Sequence, residues 1–187
     1  MSFLDPNYEI PKSSGLYAKL ESGDNKFMIL SSVVLGWQYW NTEKKCIRLQ
    51  EKPKDTPVDL GTDDNGKPKR VQHFWAFAVY NFANKEVQIL EITQKGLMGA
   101  LQDLARDKDW GDPILSYQIT IKKSGQKLDT TYQVLPVPFK GDIKDIKLQY
   151  EESDIDMKDY FVEKKQDNPM ETSNPYEIDE IANDIKM

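Results

Sequence analysis

The sequence predicts a mainly β fold with one helix set inside the strand order, and three observations predict it. Residues 71–92, VQHFWAFAVYNFANKEVQILEI, read as two apolar, β-prone runs at 71–82 and 86–92, joined by Ala83-Asn84-Lys85. So short a connection makes a hairpin, and an Asn in it tolerates the positive φ of a tight turn. Residues 94–107 then place Leu97, Met98, Leu101, Leu104 and Ala105 on one face at helical spacing, with Thr93 as the N-cap. Residues 115–121 alternate, with Leu115, Tyr117, Ile119 and Ile121 on the core side and Ser116, Gln118 and Thr120 opposite.

The other elements follow in chain order. Residues 1–15 are polar, with Pro6, Pro11 and Ser13-Ser14-Gly15, and read as an extended arm. Leu16, Ala18 and Leu20 alternate weakly before the turn at Gly23-Asp24-Asn25. Residues 26–35 form a long apolar strand that Gly36 interrupts before Trp37-Gln38-Tyr39-Trp40. A glycine there marks the bend by which a sheet coils into a barrel. Residues 46–49 are a short strand, and residues 51–69, with three prolines and two glycines, are a long mobile loop. Residues 131–137 are the last strand, ended by Pro136 and Pro138. A long bent strand, two strands, a helix and two strands make the order of an OB-fold-like five-stranded barrel with one helix between strands 3 and 4, here over residues 16–140. Residues 141–187 form an acidic C-terminal tail, flexible apart from a short helix near 153–163 with Ser153 as its N-cap.

Composition narrows the function. Cys46 is the only cysteine, so no internal disulfide exists and a reducing compartment is expected. With His73 the only histidine, zinc fingers and ribbons are excluded, and neither metal nor cofactor is expected. The first residues lack the basic and apolar regions of a signal peptide, and no apolar run approaches the roughly 20 residues of a membrane span. A soluble, cytoplasmic protein is expected. Charge is uneven: residues 1–140 hold 19 Lys and Arg against 17 Asp and Glu, whereas residues 141–187 hold 6 against 14. The tail carries the acidity.

No catalytic constellation is present, and an enzyme is not expected. His73, mid-strand among aromatics, reads as structural, and Cys46 as a buried thiol. Gly23, Gly36, Gly61 and Gly66 are scattered turn residues rather than a phosphate loop. Asp63-Asp64 and Asp154-Ile155-Asp156 read as solvated acidic faces.

Binding single-stranded nucleic acid needs flat aromatic faces for stacking and cations along the phosphate path. The chain interleaves both. The candidates are Trp37, Tyr39, Trp40, Trp75 and Tyr80 with Lys45, Arg48, Lys69, Arg70 and Lys122. About half of the aromatics are needed for the core. Alternation puts Trp75, Phe77 and Val79 on one face of their strand and Phe74, Tyr80 and Phe82 on the other, without saying which face is outside. The rival reading is an OB-like protein-interaction module. In the tail, Tyr176, Ile178, Ile181 and Ile185 suit a segment that orders on a protein partner.

Several stretches also carry a family resemblance: GLYAKL at 15–20, GWQYW at 36–40, HFWAF at 73–77, QILEITQK at 88–95 and DWGDP at 109–113. Together they resemble the single-stranded DNA-binding proteins of tailed bacteriophages, over roughly residues 12–140. The resemblance implies an OB-fold that coats single-stranded DNA without strong sequence preference in replication and recombination, in the host cytoplasm. It also implies that the acidic tail contacts other replication or recombination proteins. The last residues, Asp184 to Met187, lack the acidic-then-aromatic ending of the bacterial cellular counterparts, and the zinc ligands of some phage members are missing.

Overall fold

The structure, a computed structural model, describes residues 15–126 and 129–161. The expected arm, apart from Gly15, and the tail positions Tyr176, Ile178, Ile181 and Ile185 lie outside the described residues. Among the described residues there are seven strands: β1 (Gly23–Ile29), β2 (Val34–Trp40), β3 (Cys46–Leu49), β4 (Gln72–Asn81), β5 (Glu86–Ile92), β6 (Gln118–Ser124) and β7 (Thr131–Val137). Helix α1 (Lys95–Arg106) stands between β5 and β6, and α2 (Ile143–Glu151) follows β7. The fold is mainly β, as the sequence predicts. All strand pairings are antiparallel, in the order β3-β2-β4-β1-β6-β7, with β5 on the other edge of β4. No pairing joins β5 to β7 among the described residues, and the sheet is open.

β4 is the axis. β1 and β2 lie end to end along one of its edges, with Ile29 opposite Val79 and Val34 opposite Ala76. Leu30 to Val33 therefore stand against only Phe77 and Ala78, a bulge that sharpens the local bend. Leu30 N donates to Ala78 O at 2.9 Å and Ala78 N donates to Ser31 Oγ at 2.9 Å, so the bulge leaves neither Ala78 group orphaned. The bend lies here and not at Gly36. Gly36 stays in register opposite Phe74, and a Cβ on it would sit 2.5 Å from Phe74 Cζ and 2.8 Å from Phe161 Cζ. Its glycine serves close packing.

Each face of the sheet carries a core. On one, Phe27, Phe77, Leu90 and Ile119 lie under Leu97, Met98 and Leu101 of α1. On the other, Met28, Phe74, Ala76 and Tyr80 lie under Ile146 of α2 and Met157 of a short 3-10 turn, Met157–Asp159. Burying one such side chain contributes about 1.5–3 kcal/mol. β4 is thus buried on both faces along most of its length, and its alternation has no outside beyond its first residues.

Other local expectations are corrected. Gln94, not Thr93, is the α1 N-cap, with no side-chain capping bond, and Ala105 is exposed. In the β4–β5 turn Lys85 takes the positive φ, 61°, rather than Asn84. Leu115, at φ 51°, packs with the second core, while Tyr117 is in the first as predicted. Residues 51–69 are no free loop. Gly61 N donates to Trp40 O at 2.7 Å, Thr42 N to Asp59 O at 2.8 Å and Lys69 N to Gly61 O at 2.8 Å. In place of the expected helix at 153–163, the described residues hold α2, capped by Asp142, whose side chain accepts from Lys144 N at 2.8 Å, and then the 3-10 turn. The packed body reaches Phe161, so 141 is not where the tail begins.

Candidate functional site

Strand alternation and register assemble one aromatic face. Leu35 of β2 is opposite Trp75 of β4, and Trp37 is opposite both His73 of β4 and Leu49 of β3. These side chains share the face that α1 covers farther along the sheet. Here α1 does not close it: Leu35 is 55% exposed, and Trp37, His73 and Trp75 are half-buried. His73 Nδ1 donates to Gly36 O at 2.8 Å, which holds the imidazole 5.0 Å from the Trp37 ring. Lys52 Nζ lies 5.2 Å from the Trp37 ring centroid, a cation–π distance. Arg70 is exposed just before β4. Chemically this is a half-exposed aromatic surface of tilted rings, with the Lys52 ammonium over one of them.

The remaining sequence candidates divide. Trp40, on the opposite side of β2, is half-buried with Lys69 Nζ 5.8 Å from its ring. Tyr39 shares the face of Trp37 but is 9% exposed, and its hydroxyl donates to Asp59 Oδ1 at 3.0 Å. Burial, and then Asp59, raise its pKa; it fastens the loop and offers no open ring. Lys45 is exposed and ion-paired to Glu43 at 3.4 Å. Tyr80 is core, 8% exposed and edge-on to Phe82. Lys122 is exposed on β6 opposite Asp24 of β1, on a strand that pairs with neither β2 nor β4.

Arg48 lies behind the sheet. Register sets it opposite Gln38, on the side of Phe74, where its Nε is 2.9 Å from Glu91 Oε2. Tyr160 donates to the same carboxylate oxygen at 2.5 Å, and the guanidinium sits 5.4 Å from the Tyr17 ring. Burial alone would lower the pKa of Arg48, but the Glu91 charge, with Tyr160 and Tyr17, outweighs it and the pKa is raised. Burial, and then Glu91, raise the pKa of Tyr160. Arg48 is a structural cation. Cys46, near Gln38 Oε1 at 3.5 Å, has its pKa raised chiefly by burial, which makes it a poor nucleophile.

Sequence reasoning did not place Leu35 or His73 in the site, and it counted Lys52 only among the basic residues that follow Trp40. The available signal was parity: His73 and Trp75 are two apart on one strand, as are Leu35 and Trp37 on another. A cavity of about 330 Å³ adjoins this face, between Trp75, the β1–β2 bulge and α1. Among the described residues no cluster of His, Cys, Asp and Glu is suited to a metal, and no helix is long and apolar enough to cross a membrane. Comparison with known proteins gives no match to this chain by family, by curated relative or by solved structure.

Proposed function

We propose that this is a non-enzymatic single-stranded DNA-binding protein that coats DNA without strong sequence preference during phage replication and recombination. The observation that carries the reading is the uncovered face of Trp37, His73 and Trp75 with Lys52 over the Trp37 ring. Each base stacked on such a ring contributes about 1–3 kcal/mol, and such a cation neutralises phosphate. Strand order supports an OB-fold: with β1 and β2 as one bent first strand, the order β5-β4-β1/β2-β6-β7 runs third, second, first, fourth, fifth, with α1 between the third and fourth. β3 is then an addition to the loop between the first and second strands, where such folds hold nucleic acid. The acidic tail is assigned to protein partners of replication or recombination, in the host cytoplasm.

The exposed apolar side chains of Leu35 and Val33 favour a second reading, a protein-docking face. Salt separates the two, because phosphate contacts release counterions and weaken steeply as salt rises. The test is intrinsic tryptophan fluorescence during titration with oligo-dT at low and high salt. Strong quenching that salt reverses is expected, and Trp37→Ala weakens binding by about 1–3 kcal/mol. Absence of quenching at low salt overturns the DNA reading.

A further inference from the structure

The cavity beside α1 has an apolar floor of Trp75, Phe77 and Leu101 and a rim of Gln102, Arg106 and Asp112, all three exposed. Its volume of about 330 Å³ suits one small flat molecule and is too small for a helix or a strand of protein. Trp75 belongs to both features: it lines the cavity, and its register partner Leu35 stands on the open aromatic face. A strand stacked along Trp37 and Trp75 therefore passes the cavity mouth.

We propose that the cavity takes one unstacked base from the bound strand and favours guanine. This rests on the single-strand reading above and adds a base preference to it. The rim combines an acceptor-only carboxylate with a donor-only guanidinium. Asp112 Oδ1 accepts from Ile114 N at 3.0 Å, which fixes the carboxylate at the rim. Guanine matches this pair: its N1–H and N2–H groups are adjacent donors for a carboxylate, and O6 and N7 are adjacent acceptors for Arg106. Thymine and adenine each offer only one donor group along the edge, and cytosine has no N7/O6 pair.

The test compares the full-length protein on an oligo-dT and on the same oligomer with one internal dG, read by tryptophan quenching. The dG oligomer binds about tenfold more tightly. In Asp112→Asn, which keeps an oxygen for Ile114 and turns the other acceptor into a donor, that ratio falls to one. It falls to one also in Ala105→Trp, where an indole from the exposed face of α1 fills the cavity. A general folding defect would weaken both oligomers and leave the ratio intact. Equal wild-type affinity for the two oligomers overturns the guanine pocket and leaves the single-strand reading standing. Quenching by neither oligomer overturns both and leaves the protein-docking reading of the Leu35 and Val33 face.

Discussion

Arg48 shows how one residue's role turns on strand parity. Its neighbours Ile47 and Leu49 share the open face of Trp37, while Arg48 itself passes through to the other side and meets Glu91. Both partners keep 16% of their side-chain surface exposed, so the pair is largely desolvated. Removing one partner strands the other, and Arg48→Ala is expected to destabilise the fold by about 3 kcal/mol, measured as a shift of the urea midpoint. The same parity separates Trp37 from Tyr80. Both were equal candidates in the sequence, and only the second is sealed in the core.

At the scale of elements, α2 and the turn after it change the meaning of the C-terminal region. Ile146 is 5% and Met157 6% exposed, and they cover Met28, Phe74 and Ala76. A chain ending at Lys140 loses this cover, and each lost large side chain costs about 2–5 kcal/mol. A chain ending at Phe161 keeps it. Thermal unfolding is expected to show a lowered or absent transition for the first and an unchanged one for the second. Residues 162–187 hold 7 acidic against 3 basic side chains, so the longer truncated chain should also bind oligo-dT more tightly than the full chain. α2 was illegible in the sequence because only Ile143, Ile146 and Tyr150 mark its inner face within a run of charges. α1 was legible because five apolar residues repeat at helical spacing, and its bounds differ by one residue at each end.

At the scale of the molecule, the two cores share one central strand, and the Arg48–Glu91–Tyr160 contact pins the end of the described chain to β3 and β5. This contact makes stability sensitive to alkali. Tyr160 keeps its proton in the folded chain above the ordinary tyrosine value of 10.0, at which the unfolded chain releases it. The folded state then binds more protons than the unfolded one, so this contribution is whole below that pH and is lost as pH rises through the folded value. Urea midpoints are expected to fall above about pH 10, and Tyr160→Phe flattens the fall.

What the sequence determined by itself was local: the β4–β5 hairpin, α1, the strand Thr131–Val137 and the core place of Tyr117 each follow from periodicity within a few residues. Tertiary structure decided the rest. The bulge at Leu30 to Val33 exists because β1 and β2 both pair with β4, and Gly36 is glycine because Phe74 and Phe161 meet there. Which aromatics stay open was set by where α1 and α2 stop covering the sheet. Alternation sorts side chains into two faces, but only packing between distant segments decides which stretch of a face is left bare.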